Sequence, residues 1–264
     1  PYDAAALKAR LLSLARLRQV ARNNADLERS SKEKETFLYF LTHNMNAPLT
    51  VLLNLARELA AEGASGPTGG AIYDIEACAE HMHEVLRKAL ISFRVADGRQ
   101  PLKLEPIDLE PILEGVVGDL APRAERKGQR VELSIASELP LVTADRKALR
   151  EVIYNLADNA VKFCPLGGEI LIAVMSEGGR VAVHVEDSGQ GIPESERERV
   201  FDRFQGLSPQ PSSGEASTGL GLHVARELMR LMGGDVRYDA TRGRAAFVAE
   251  VPIYTSKGSP HETR

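Results

Sequence analysis

Three short groups of residues in the second half of this 264-residue chain have types and spacings suited to an anionic ligand. The first is Asn155, Asn159 and Lys162, at i, i+4 and i+7 of a run from Arg146 to Phe163 whose apolar residues Leu149, Ile153, Leu156, Ala160 and Phe163 recur at helical spacing. Two carboxamides and an ammonium in line suit a metal–phosphate group, because amide oxygens coordinate Mg²⁺ and Lys supplies a point charge to phosphate. A merely solvated face would more naturally carry Glu and Lys than two Asn, which form helices poorly. The second group, Asp187-Ser188-Gly189-Gln190-Gly191-Ile192, directly follows the strand-like run Val181–Glu186. A carboxylate at a strand end can accept a hydrogen bond from an exocyclic amine such as that of adenine, and glycines let a ring or backbone approach closely. The third, Thr218-Gly219-Leu220-Gly221-Leu222, opens a helical run, and bare N–H groups at a helix start bind phosphate. Gln205 to Ser217, just before it, is rich in Ser, Pro and Gly, holds no Lys or Arg, and reads as a mobile lid. Each glycine motif alone also fits a plain turn. All three, in this order, leave little room for that reading.

A fourth group lies far upstream. Around His43, apolar residues recur at 41, 45, 48, 52, 55 and 59 in alternating steps of four and three, the seam of a helix in a bundle. His43 falls off that seam and is expected to face water. Pro48 lies within the same helical pattern, lacks an N–H, and frees the carbonyl of Asn44, at a cost of about 3 kcal/mol in a helix. An outward imidazole one turn before such a Pro is a candidate reactive group.

The elements needed to position these groups divide the chain. Residues 1–35 are Ala-, Leu-, Arg- and Glu-rich without Gly or interior Pro, and are expected to form a coiled-coil helix with a stutter. Residues 36–98 read as a helical hairpin broken at Gly63–Gly70, with a second seam at Ile72, Ile75, Ala79, Met82, Leu86, Ala89 and Phe93. One such hairpin buries too little apolar surface alone, so two copies are expected to pair as a homodimeric four-helix bundle. Residues 105–254 alternate between helix and strand. Strands are expected at 107–109, 131–135, 141–143, 169–176, 180–186, 236–238 and 245–251, and helices at 110–127, 146–163 and 218–232. The fold class is therefore α+β, the second domain being an α/β sandwich with one mixed sheet covered by helices on one face. Residues 255–264 form a polar tail expected to be disordered.

Composition narrows the classes. A net charge of −4 gives no reason to expect nucleic acid or an anionic membrane as partner. Cys78 and Cys164 are the only cysteines and have neither metal-ligand spacing nor a disulfide framework, which suits a reducing cytoplasm. No apolar run reaches the roughly 18 residues needed to span a bilayer. The chain opens on Pro1 within a few residues of a helical pattern, and reads as a fragment of something longer.

Taken together, these motifs resemble those of the cytoplasmic core of two-component sensor histidine kinases. Asn155-Leu156-Ala157-Asp158-Asn159-Ala160-Val161-Lys162-Phe163 matches that family's N box, and Asp187-Ser188-Gly189-Gln190-Gly191-Ile192 its first glycine box. Phe201-Asp202-Arg203-Phe204 matches the F box, and Thr218-Gly219-Leu220-Gly221-Leu222 the second glycine box. The likeness covers roughly residues 30 to 252. It implies a phosphoacceptor hairpin followed by a Bergerat-type ATP-binding domain, with ATP as phosphoryl donor and Mg²⁺ on Asn159. It implies that Asp187 reads adenine, and that His43 takes the γ-phosphoryl group and passes it to an aspartate of a response regulator. Asn155, Lys162, Phe163, Gly189, Gly191, Ile192, Phe204 and residues 218–222 would complete the nucleotide site, and Arg203 is a candidate γ-phosphate contact. An upstream sensor domain, absent from this fragment, and a parent anchored in the inner membrane are further implications. Two other classes share parts of this pattern. ATP-hydrolysing clamps carry a Glu base where this chain has Asn155, and they lack the hairpin. A dimeric ATP-binding scaffold without kinase activity is the other.

The acceptor segment departs from the family at two positions. A Glu or Asp usually follows the phosphoacceptor His, where Asn44 stands here and cannot act as a base. Thr or Asn usually stands four residues after the His, where Ala47 cannot orient a water. Autophosphorylation is therefore expected to be slow, since general-base help is worth about 10²–10⁴-fold, and dephosphorylation of the regulator weak. Asn44→Glu should speed label uptake at His43, and adding Ala47→Thr should add regulator dephosphorylation. Rapid dephosphorylation by the wild type, with no gain from Asn44→Glu, would refute this.

Overall fold

The computed structural model describes residues 18, 45, 48–52, 54–55, 68–96, 101–136, 138–205, 208–209, 211–212, 219–240 and 245–255. His43, Asn44, Ala47 and Thr218 lie outside these, as do nearly all of the N-terminal helical pattern, the linker at 97–100 and the tail from 256. The chain divides into two units, Pro1–Leu86 and Arg87–Arg264.

In the first unit the described residues between 45 and 55 are helical. Pro48 is buried and Met45, Leu52 and Leu55 are half-buried, while Leu49 and Val51 are 45% and 44% exposed, as the seam requires. Helix α1, Thr68–Ala96, begins earlier than expected, so Gly69 and Gly70 lie in its first turn rather than in a breaker. First-turn N–H groups lack intrahelical partners in any case, so glycines disturb a helix least there. Among the described side chains of α1, Val85, Lys88, Ala89, Ser92 and Val95 are buried, and Leu86, of the expected seam, is 40% exposed. Among the described residues no helix is long and apolar enough to cross a membrane.

The second unit is a mixed α/β domain. Its five-stranded sheet has the order β2-β4-β5-β7-β6, comprising Arg130–Ile135, Glu169–Glu177, Arg180–Asp187, Ala245–Pro252 and Asp235–Asp239. Only β2 and β4 are parallel. A separate pair, β1 (Glu105–Ile107) and β3 (Val142–Ala144), runs antiparallel with Ile107 opposite Val142. Helices α2 (Glu110–Arg126), α3 (Arg146–Phe163) and α4 (Gly221–Leu231) supply the rest of the core. Alternation in β4 explains this layering, since Ile170, Ile172 and Val174 point into the core between half-buried or exposed residues. Central strand β5 departs from simple alternation, being buried at every residue from Val181 to Glu186.

Local chemistry sets the ends of these elements. Asp145 caps α3, its Oδ1 accepting from the N–H groups of Lys147 and Ala148 at 3.0 Å each. At the other end of α3, Gln129 Nε2 donates to the carbonyls of Val161 (3.1 Å) and Cys164 (2.9 Å), and Lys127 Nζ donates to Val161 O at 2.9 Å. Orphan carbonyls of the last turn are thereby satisfied. Gly178 and Gly179, with φ of +59° and +78°, make the tight β4–β5 turn that positive φ at both centres requires. Helix α4 starts at Gly221 and not at Thr218, because Gly219 sits at φ +63° and cannot be helical.

A buried ion cluster ties α2 to α3. Arg123 Nη1 donates to Asp158 Oδ1 at 2.6 Å, and Lys162 Nζ lies 2.7 Å from Asp158 Oδ2, with the Asp158 side chain 3% exposed. Burial acts to raise the Asp158 carboxyl, but Lys162 and Arg123 outweigh it and hold it below the usual range. Asp158→Asn leaves two cations without a counter-charge, and we expect a loss of about 3 kcal/mol, the low end for a broken buried pair because both cations keep some solvent. In a domain of this size that is a fall of roughly 6–12 °C in melting temperature. The folded carboxyl is depressed, so the wild-type advantage is complete above about pH 5 and shrinks as pH falls below about 4. Melting curves of both proteins across that window check it.

Candidate functional site

The chemistry-bearing groups meet at one end of the sheet. Helix α3 contributes Asn159 and Phe163, the end of β5 contributes Asp187, and the following loop contributes Gly189, Gln190, Gly191 and Ile192. With Pro209, Leu222, Tyr238 and Phe247, these line a cleft of about 560 Å³. Its character is apolar apart from Asp187, Asn159, Gln190 and the tyrosine hydroxyl.

Asp187 is the polar centre. Its Oδ1 accepts the Gly189 N–H at 2.7 Å. That return bond needs a residue without a side chain, because a Cβ on Gly189 would lie 2.5 Å from Asp187 Oδ1 and 3.1 Å from Phe163 O. Burial pushes the Asp187 carboxyl above its ordinary range, and the Gly189 N–H opposes only part of that shift. Gly191 turns at φ +68°, and the next N–H, of Ile192, donates to Tyr238 Oη at 3.0 Å. Tyr238 in turn meets Phe247 edge-on, with ring centroids 5.4 Å apart. The loop after β5 is therefore braced from β6 and β7, where sequence reading saw only closing strands. Tyr238 and Phe247 were missed for that reason, and Gln190 and Pro209 lie in the glycine motif and the lid segment, where no separate role was assigned to them.

Several predicted residues stand elsewhere. Asn155 does not line the cleft. It is 1% exposed, its Nδ2 donates to Glu151 at 3.0 Å, and its Oδ1 lies 3.2 Å from where a Gly221 Cβ would be. It backs the start of α4, and Gly221 keeps that approach open. Lys162 is engaged by Asp158 and does not line the cleft, although its helical register matches the expected stripe. Leu220 is fully buried, whereas Leu222 reaches the cleft. Phe204 adopts φ +59° and its N–H donates to Gly219 O at 3.1 Å, closing the F box onto the second glycine box. A Cβ on Gly219 would lie 2.7 Å from Gln205 O, so this closure also requires glycine. Arg203 Nε donates to His223 Nε2 at 2.8 Å.

The described part of the expected lid is anchored. Ser212 donates from its N–H (2.9 Å) and Oγ (3.1 Å) to Lys162 O, and Lys127 Nζ donates to Ser212 Oγ at 3.1 Å. Ser208 N–H donates to Glu196 at 2.9 Å. The remaining lid residues lie outside the described ones.

The donor set fits a purine nucleotide. A half-buried acceptor in an apolar cleft with glycine-lined access suits a flat base bearing an exocyclic amine. Asn159, lining the same cleft, offers a carboxamide oxygen of the kind Mg²⁺ accepts. Among the described residues no cluster of three His, Cys, Asp or Glu side chains forms a metal cage.

Comparison with known proteins agrees. Residues 144–255 match the family of histidine kinase-, DNA gyrase B-, and HSP90-like ATPases. The circadian input-output histidine kinase CikA of Synechococcus elongatus is 30% identical over 230 residues, which cover 84% of this chain and 30% of CikA. The chain thus spans under a third of that relative. Full-length ShkA in complex with AMPPNP is 31% identical with a TM-score of 0.62, over 83% of this chain and 46% of ShkA. Histidine kinase ThkA, in its complex with response regulator TrrA, shares the fold at TM-score 0.58 and 21% identity, over 81% of this chain and 60% of ThkA.

Asp187→Asn replaces a carboxylate oxygen by an amide donor facing the base, and should weaken ATP binding by about 1–3 kcal/mol. Because the Asp187 carboxyl is raised, acid should weaken wild-type binding before an ordinary aspartate would titrate. Calorimetry with ATP, showing equal affinity for both proteins, would overturn the adenine assignment. Fold, cleft and relatives together identify residues 144–255 as a histidine kinase-, DNA gyrase B-, and HSP90-like ATPase domain, similar to those of histidine kinases.

Proposed function

We propose that this chain is the core of an ATP-dependent protein-histidine kinase that phosphorylates His43 and passes the phosphoryl group to an aspartate of a response-regulator receiver domain. The observation that carries this reading is the half-buried Asp187 carboxylate, folded back onto Gly189 in a cleft walled by Phe163, Ile192, Leu222 and Phe247. Asp187 accepts from the adenine amine, and the apolar walls exclude water around the base. Asn159 would hold Mg²⁺, which would supply charge neutralisation at the phosphates. Phosphoryl transfer depends mostly on positioning and charge neutralisation, so the fold's main task is to deliver the γ-phosphate to an imidazole. Neutral His43, with an unperturbed pKa of about 6.5, is nucleophilic at neutral pH. As the N–P bond forms, the bond to ADP breaks, and the imidazole proton leaves to solvent because Asn44 offers no base.

Residues 36–98 form the dimerisation and phosphoacceptor hairpin, pairing with a second copy as a four-helix bundle. Two features support this. Pro48 is helical and buried, and Leu86 and Leu90, one turn apart on α1, are left 40% and 55% exposed for a partner to cover. The segment 1–35 transmits the signal from an upstream sensor domain, in a parent anchored in the inner membrane.

The test is incubation of the dimer with γ-labelled ATP and Mg²⁺. Acid-labile label should appear on His43, and His43→Gln should bind ATP yet take up none. Label persisting in that variant moves the acceptor elsewhere. Phosphate release without protein label points to a hydrolase, and nucleotide binding with neither points to a scaffold.

A further inference from the structure

His223, in the first turn of α4, has a defined protonation state. Its Nδ1 lies 3.0 Å from the carbonyl oxygen of Phe201, which can only accept, so Nδ1 carries the hydrogen. Its Nε2 receives the Nε–H of Arg203 at 2.8 Å, and a guanidinium can only donate, so Nε2 presents a lone pair. The imidazole is therefore neutral and pinned at both nitrogens. Both partners belong to the F box, immediately before the lid, while His223 follows the second glycine box immediately after it. Phe204 N–H to Gly219 O, at 3.1 Å, closes the same junction.

Among the described residues Arg203 is held by its Nε, and its Nη1 and Nη2 make no hydrogen bond, whereas Arg199 Nη2 is engaged by Gln205 at 2.8 Å and Lys162 by Asp158 at 2.7 Å. Two further facts suit an anion at these amino groups. No side chain caps the N-terminus of α4, the helix carrying His223. The lid, residues 205–217, brings no Lys or Arg of its own. An uncapped helix start beside an arginine with both amino groups open is a phosphate-binding arrangement.

We propose that His223 is a positioning residue, holding Arg203 by its Nε edge so that both amino groups meet the terminal phosphate of a bound nucleoside triphosphate, and acting only as the neutral imidazole. This rests on the nucleotide reading of the cleft. Protonation would place an N–H at Nε2 against the Arg203 N–H and put two cations side by side, so the clamp opens in acid. The charged groups facing His223 are Arg203, Asp202 and Glu227. Burial and Arg203 together keep the ring below its ordinary range, so the clamp is closed at neutral pH. Gln at this position could accept from Arg203 without titrating.

The experiment compares calorimetric affinities of the full chain, with Mg²⁺, for ADP and for a non-hydrolysable ATP analogue at pH 7.5 and at successively lower pH. Wild type, His223→Leu, His223→Gln and Arg203→Met are each measured. In His223→Leu, affinity for the analogue should fall about tenfold or more, the loss of a charge-assisted contact, with ADP affinity unchanged. Arg203→Met should match it, and the double variant should lose no more than either single one. His223→Gln should keep the preference for triphosphate, and should keep it in acid where wild type loses it. The proposal is overturned if His223→Leu weakens both nucleotides together, if Gln behaves as Leu does, or if His223→Gln still loses its preference for the triphosphate over ADP in acid. Should His223→Leu not fold, as melting curves would reveal, the pH comparison of wild type with His223→Gln still decides. Wild type binding neither nucleotide would refute the cleft reading itself, while wild type binding both equally well refutes only the clamp.

Discussion

The nucleotide cleft depends on holding one carboxylate half-buried among apolar walls. Asp187 ends the most deeply buried strand of the sheet, and among the described residues one N–H, that of Gly189, meets its Oδ1. Burial opposes the charge there, as the raised carboxyl records. Such a group is unfavourable in an empty cleft and gains when a donor arrives, so the stability the fold gives up at Asp187 returns as affinity for an amine-bearing base. Every nearby feature serves that arrangement. Gly189 has no Cβ because one would strike the carboxylate, and Gly191 turns the chain so that Ile192 can lean on Tyr238.

Helix α3 is the beam to which the site is fixed. Its N-cap, Asp145, also accepts the Lys103 N–H at 2.9 Å, tying the segment before β1 to the helix start. Gln129 and Lys127 hold its C-terminal carbonyls. Between these ends, one turn of the N box divides its polar residues among three tasks. Asn159 faces the cleft, Asp158 pairs with Arg123 and Lys162, and Asn155 supports the glycine at the start of α4. Successive residues on a helix are about 100° apart, so Asp158 and Asn159 necessarily serve different neighbours.

A second junction joins the two ends of the lid segment. Phe204 meets Gly219, and His223 bridges Phe201 and Arg203. Ser212, bonded to the end of α3, adds a further tie.

Much of this was legible in the amino-acid order. Helix α3 was bounded at Arg146 and Phe163 by apolar periodicity, and β4 and β5 by their alternation about Gly178-Gly179. Asp187 and the glycines that follow it could be assigned to a ligand because a strand end and backbone freedom are local properties. What the sequence could not reveal was which polar groups would find one another. Lys162 has the right register for the cleft and stands i+4 from Asp158, but that this pair would be buried with Arg123 from α2 was not local information. Asn155 shares a stripe with Asn159 but is covered by α4, a packing partner 66 residues later in the chain. Tyr238 and Phe247 read as strand residues and became walls of the cleft once the order β5-β7-β6 set them beside the loop after β5. Periodicity, caps and turns are written in neighbouring residues, so the sequence by itself determined the elements and the cleft's central carboxylate. Charge pairing and burial depend on groups brought together only by the sheet order and helix docking, so the tertiary structure alone decided which of the candidate residues face the ligand.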